Sequence, residues 1–296
     1  MFKGNLIRPI DHIVLSLPDL ETACRRFSEI GFNIAPVARH KFGTENAIIP
    51  FSDGTFIEPL AVGDDASVDK YRKKGSPFIV RDQAYRYRHG AGGFAGGISM
   101  LVFSGDNVKK DQKLFRKAGL STGKINRVKR PGLNIRTTFA IDERANDCTL
   151  FVCERKDGVP EFDEQLTNHP NGAIRLSRVV LVDDNPADFA RYLSIVSGQS
   201  VAAEAEWGID LQLSNGLVSI ISPKGLKSEY GIELTSPLLR NGPRLVTYDL
   251  VVKSLNETAM MLAEKGIVAG QIGNRVVVAN APGQAAALAF IEEELS

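Results

Sequence analysis

Cysteine, histidine and tryptophan are scarce in this chain: three, four and one in 296 residues. Cys24, Cys148 and Cys153 form neither a CxxC pair nor a spaced framework. That excludes a disulfide scaffold and a cysteine-built zinc module, and it points to a reducing compartment. No stretch approaches the roughly 20 apolar residues of a membrane span. The opening MFKGNLIRPI has no apolar run ahead of its proline, so no secretory leader is expected. Net charge is +1, which argues against a nucleic acid or an acidic membrane as partner. The basic cluster Lys124–Arg130 reads as a solvated turn. A soluble, cytoplasmic protein is the expectation, with a small molecule as its ligand and a homodimer left open as its assembly.

What the chain does have is the balance of a globular protein, 43% hydrophobic and 24% charged, and a repeated punctuation. IVLSL reads as a strand that ends at Pro18. Asp19 is placed to cap a helix whose apolar face is Leu20, Ala23, Cys24, Phe27 and Ile30, and Gly31 stops it. Three strand-like runs follow, the last two parted by the hairpin signal Ser52–Asp53–Gly54. The order is β-α-β-β-β.

His12 lies seven residues before the cap Asp19. The same offset from Asp106 reaches Ser99, from Asn185 reaches Arg178 and from Asn256 reaches Asp249; Gly119, Gly198 and Gly266 are the matching stops. An α+β fold of four βαβββ modules follows. Residues 1–160 are expected to hold modules one and two, with an insertion at 63–97, and residues 161–296 to hold modules three and four. Within the insertion, DDASVDKYRKKG reads as a surface helix. RHGAGGFAGG reads as a flexible linker, since it lacks the Gly-Lys-Ser/Thr ending of a phosphate loop. His169, in the polar connector before module three, is expected to order that connector.

The strings DHIVLSLPDLE, HKFGTENAIIPF followed by FIEPL, GGFAGGISML and HPNGAIRLSRVVLV resemble the vicinal oxygen chelate superfamily, in its glyoxalase-like domain branch. That superfamily includes glyoxalase I (lactoylglutathione lyase), extradiol dioxygenases and bleomycin-resistance proteins. The resemblance implies two curved mixed-sheet cups with helices on their outer faces. It also implies metal ligands on the first and last strands of each module. Carried over, these are His12 and Glu58, a nitrogen and oxygen pair suited to Zn, Ni, Mn or Fe. Such an ion would clamp two neighbouring substrate oxygens and stabilise an enediolate, with Glu58 as the catalytic base in a lyase or isomerase.

His40, Thr44, Asn46 and Cys153 are the candidate substrate-binding residues. Module two departs from the pattern, with Ser99 at the first-strand position and Cys153, or Glu154 beside it, at the last. If module one pairs instead with module four, the ligand set becomes His12, Glu58, Asp249 and Glu292. Arg178 and Ser222 of module three suit no metal, so the second half reads as scaffold or lid. The alternative function is metal-free sequestration of a small molecule on the same fold. An extradiol dioxygenase ranks last, because one histidine is in register where that chemistry uses two.

Overall fold

The computed structural model of the chain describes residues 7–90, 93–130, 133–158, 161–199, 203–234 and 241–293. Module one comprises β1 (Ile10–Ser16), α1 (Leu20–Glu29), β2 (Ala38–Arg39), β3 (Thr44–Asn46), β4 (Ile49–Pro50) and β5 (Phe56–Val62). Asp19 caps α1 by accepting the N–H groups of Glu21 and Thr22, and Leu20, Ala23 and Phe27 turn inward. Gly31 takes φ +90° after the helix, a conformation that favours glycine. The insertion forms two helices, α2 (Asp65–Lys73) and α3 (Pro77–His89).

Module two follows with β6 (Gly97–Ser104), α4 (Val108–Lys117), β7 (Asn126–Arg130), β8 (Leu133–Ala140) and β9 (Thr149–Arg155). A short helix, α5 (Glu164–Thr167), lies in the connector. Module three comprises β10 (Ala173–Val182), a 3-10 turn at Pro186–Phe189, α6 (Ala190–Ser197), β11 (Ala203–Ala205), β12 (Gly208–Gln212), β13 (Leu217–Ile221) and α7 (Pro223–Tyr230). Module four comprises β14 (Arg244–Val252), α8 (Leu255–Glu264), β15 (Ala269–Ile272), β16 (Arg275–Val278) and β17 (Ala287–Glu292).

These strands make two curved mixed sheets, so the α+β reading holds. The first runs β2-β3-β5-β1-β6-β9-β8-β7 with β4 on β5, and the second β11-β12-β13-β10-β14-β17-β16-β15. In every module the first and last strands are parallel neighbours, and the rest of the module adds antiparallel strands. Each sheet is therefore built from two consecutive modules. Packing groups the chain differently. One compact unit takes the described residues of Met1–Asp11, Met100–Pro160 and Arg178–Leu245, and the other those of His12–Ser99, Glu161–Ser177 and Val246–Ser296. The expected division after 160 borders residues 159–160, which lie outside the described set.

The unit holding modules one and four is organised on Phe32. Its ring meets Phe27, Phe51 and His169 edge-on and stacks on Phe290 of β17 at 6.1 Å. His169 orders its connector as anticipated. Its Nδ1 accepts the Asn33 N–H at 3.0 Å, and its Nε2 donates to the Pro50 carbonyl at 2.9 Å. Both bonds together require the neutral ring with its proton on Nε2. In the unit holding modules two and three, Arg8 bonds Asp111 at 2.5 Å and the Val196 carbonyl at 2.9 Å, and Arg155 bonds Asp11 at 2.6 Å.

Several local readings change. Residues 126–130 of the basic cluster form an edge strand rather than a turn. The cap of α4 is Asn107, one residue past Asp106, and the cap of α8 is Ser254, two before Asn256. The expected linker at 88–97 starts inside α3, which ends at His89, and residues 91–92 of it lie outside the described residues. Ahead of it the insertion carries a second helix, α3, that is locked into the unit. Asp82 of α3 is fully buried; it accepts the Ser16 hydroxyl at 2.6 Å and the Arg86 guanidinium at 2.8 Å. Arg86 in turn bonds the Leu17 and Leu60 carbonyls at the ends of β1 and β5, at 2.7 and 3.0 Å. The glycines serve this packing: a Cβ on Gly97 would stand 2.0 Å from the Tyr85 hydroxyl of α3.

Candidate functional site

A parallel pair points residues in register to the same face of a sheet. On β1 and β5 the register is His12 with Phe56 and Val14 with Glu58, so His12, Phe56 and Glu58 share one face. The His12 ring lies flat on Phe56, centroids 4.2 Å apart and 13° from coplanar, and Phe162 from the connector meets Phe56 edge-on. Thr44 and Asn46 reach that face from β3, which pairs with the far end of β5.

The polar groups form a connected set. Asn46 Nδ2 donates to Glu58 Oε1 at 2.5 Å, and His12 Nε2 lies 3.4 Å from Glu58 Oε2. The His40 Nδ1 and the Thr44 hydroxyl share a hydrogen bond of 2.9 Å. Glu58 is 8% exposed. Burial alone pushes its carboxyl up, yet the hydrogen bond and charge of His12, the charge of His40 and the Asn46 amide together hold it below the usual range. Glu58 therefore faces inward as an ionised group, not toward solvent. His40 is also a turn residue, since Gly43 donates to its carbonyl and its own N–H bonds the Thr44 carbonyl. Gly43 sits at φ +94°, and a Cβ there would lie 2.4 Å from the Asp64 carbonyl oxygen.

Five of the six sequence-derived residues, His12, His40, Thr44, Asn46 and Glu58, thus converge within module one. Cys153 is placed in the other compact unit, buried on β9 opposite Ser104 and Thr137. Ser99 and Asp249 are displaced from the repeat position. Counted from the observed caps, the equivalents of His12 are Met100, Arg178 and Thr247. Ser99 instead donates to the Ser16 hydroxyl oxygen at 2.8 Å, since the Ser16 proton goes to Asp82. Asp249 is held by Arg275 at 3.1 Å, and Glu292 accepts the Leu255 N–H at the start of α8 at 2.7 Å. Ser222 caps α7. In module three the residue in register with Val180, as Glu58 is with Val14, is Ser219, and it accepts from Arg178 at 2.8 Å.

Sequence reasoning missed α3 and Phe162. A signal for α3 was present: Ser76–Pro77 is a helix start, and the next twelve residues contain neither glycine nor proline. Phe162 had no such signal, because its position on Phe56 depends on how the connector folds back.

Parallel first and last strands in each of four βαβββ modules, with a histidine and a carboxylate side by side on one such pair, define a protein of the vicinal oxygen chelate class. The glyoxalase-like domain family matches residues 10–196, and the chain belongs to that family. No curated protein sequence matches it. Among solved structures it is similar to a Mn(II)-bound glyoxalase from Novosphingobium aromaticivorans, with 11% identity and a TM-score of 0.60 over 97% of this chain and 82% of that one. A triple mutant of 4-hydroxymandelate synthase from Streptomyces coelicolor aligns with 12% identity and a TM-score of 0.60, over 97% and 93% of the two chains. The 2,2',3-trihydroxybiphenyl 1,2-dioxygenase of a dibenzofuran-degrading Sphingomonas wittichii strain aligns with 13% identity and a TM-score of 0.56, over 97% and 91%. At these identities the likeness is one of fold. No helix among the described residues is long and apolar enough to cross a membrane.

Proposed function

We propose that this protein is an enzyme of lyase or isomerase type that acts on a small molecule carrying two neighbouring oxygens, at the His12–Glu58 face of module one. The observation that carries the reading is the buried Glu58 carboxyl group held between His12 and Asn46. A carboxylate so placed is a general base. It takes the proton from the carbon beside a substrate carbonyl. The C–H bonding pair becomes the C=C bond of an enediolate, and the negative charge settles on the carbonyl oxygen. The proton of the substrate's adjacent hydroxyl passes to that oxygen. Return of the first proton from Glu58 to the former carbonyl carbon, with the C=C pair forming the new C–H bond and the deprotonated hydroxyl becoming the new carbonyl, completes an isomerisation. His12 stands beside the base to meet the charge that develops, and Phe56 and Phe162 form an apolar wall that keeps water from it.

His12 and Glu58 are the residues that would hold a divalent ion of the family type, and the ion would supply Lewis-acid charge to the enediolate. Two protein donors fall short of the three or four that hold zinc-type ions. The proton transfers are therefore carried by Glu58 and His12 alone. The aromatic wall also suits the alternative reading, sequestration of a small molecule without turnover.

The test is exchange of substrate C–H for C–D in deuterated water, followed by NMR over a panel of α-hydroxy carbonyl and 1,2-dicarbonyl compounds. Glu58→Gln is expected to slow exchange by about 10²- to 10⁴-fold while circular dichroism stays unchanged. Exchange that persists in Glu58→Gln would remove Glu58 as the base. Binding without exchange across the panel favours sequestration.

A further inference from the structure

We infer that the module-one site works without a resident metal ion, with protein hydrogen-bond donors taking the place a cation would hold against Glu58. The inference rests on the reading of His12 and Glu58 as the functional pair. Its first support is the repeat. Ligands supplied by several modules would have to stand at equivalent strand positions, and the observed caps and registers identify those positions. The equivalents of His12 are Met100, Arg178 and Thr247. The equivalents of Glu58, two residues further along each parallel pair, are Phe151, Ser219 and Ala289. A thioether, a guanidinium, two hydroxyls, a phenyl ring and a methyl group include no imidazole, carboxylate or thiolate.

The second support is how the remaining donors are engaged. The Glu58 oxygens face an amide N–H of Asn46 on one side and the imidazole of His12 on the other. An amide nitrogen that donates to a carboxylate is built to hold the anion and has no lone pair for a metal. Within the same compact unit Asp249 is paired with Arg275, and Glu292 holds the first turn of α8. Among the described residues, no group of three or more His, Cys, Asp or Glu side chains is placed to hold a metal ion.

The experiment is elemental analysis of the full chain, produced in medium supplemented with Mn, Fe, Ni and Zn and purified without chelators. The His12→Ala and Glu58→Ala variants are analysed in parallel, and each of the four ions is also titrated against the thermal midpoint. The expected result is well under one ion per chain and a midpoint that no ion moves. An ion present at about one per chain in the wild type and lost in either variant overturns the inference and leaves the proposed base chemistry standing. An ion retained by both variants sits elsewhere and leaves the site metal-free, in support. Deuterium exchange that survives dialysis against EDTA supports both readings. Its absence from a metal-free protein removes the proposed activity and leaves this inference intact.

Discussion

Glu58 and His169 show one cost, burial, resolved in opposite ways. Glu58 is buried charged, because His12, His40 and Asn46 supply what water would have given. His169 is buried neutral: desolvation lowers its pKa to about 4, against a smaller opposing contribution from its bond to the Pro50 carbonyl. A histidine depressed in the folded state binds its proton more readily when unfolded. The unfolded chain therefore takes up more protons between pH 6.5 and 4, and stability falls as pH falls through that window. The loss is on the order of 3 kcal/mol for a depression of this size. His169→Leu leaves the Asn33 N–H and the Pro50 carbonyl without these bonds, so it starts less stable at pH 7. It also lacks the group that titrates. Urea melts at pH 7, 6, 5 and 4 are expected to show wild type losing stability faster than the variant, and parallel curves would count against the assignment.

The insertion shows what an element gains from contacts its own sequence does not announce. Helix α3 begins with the favourable Ser76–Pro77 start, but its place is set by Asp82 and Arg86, which grip Ser16 and the strand-end carbonyls of Leu17 and Leu60. The helix also needs close approach to β6, which Gly97 permits. Gly97→Ala is expected to cost about 1–3 kcal/mol through overpacking. Tyr85→Phe in the same chain should recover part of that loss by removing the hydroxyl, although the ring carbon at 3.0 Å remains tight. A double-mutant cycle by chemical denaturation measures the coupling. Strictly additive effects would show that the alanine is accommodated elsewhere.

At the scale of the whole molecule, the strand order of the described residues ends on β2 and β7 in the nine-stranded sheet and on β11 and β15 in the eight-stranded one. Edges invite pairing with other chains, and charge is the usual deterrent. The basic run supplies that charge on β7, where Arg127 and Lys129 are exposed. Replacing both with valine is expected to raise light scattering on heating and lower the soluble fraction. The urea midpoint should hold within about 1 kcal/mol, since exposed side chains contribute little to folding. An unchanged scattering profile would remove the protective role.

The sequence by itself determined the modules. A cap, an apolar helical face and a glycine stop are local signals, carried by neighbours in the chain, and they survive four repetitions even where the cap moved by one or two residues. It also determined the core of the candidate site, because His12 and Glu58 sit on strands of one module and the parallel pairing of β1 with β5 is intrinsic to that module. What only the tertiary structure decided depends on partners distant in the chain. It placed Phe162 on Phe56, α3 at the strand ends, Asp249 against Arg275 and Glu292 at the start of α8. A carboxylate reads the same in sequence whether it will meet an arginine, a helix start or a substrate. The groups packed against it in the fold decide among these, since they determine whether its charge is already satisfied.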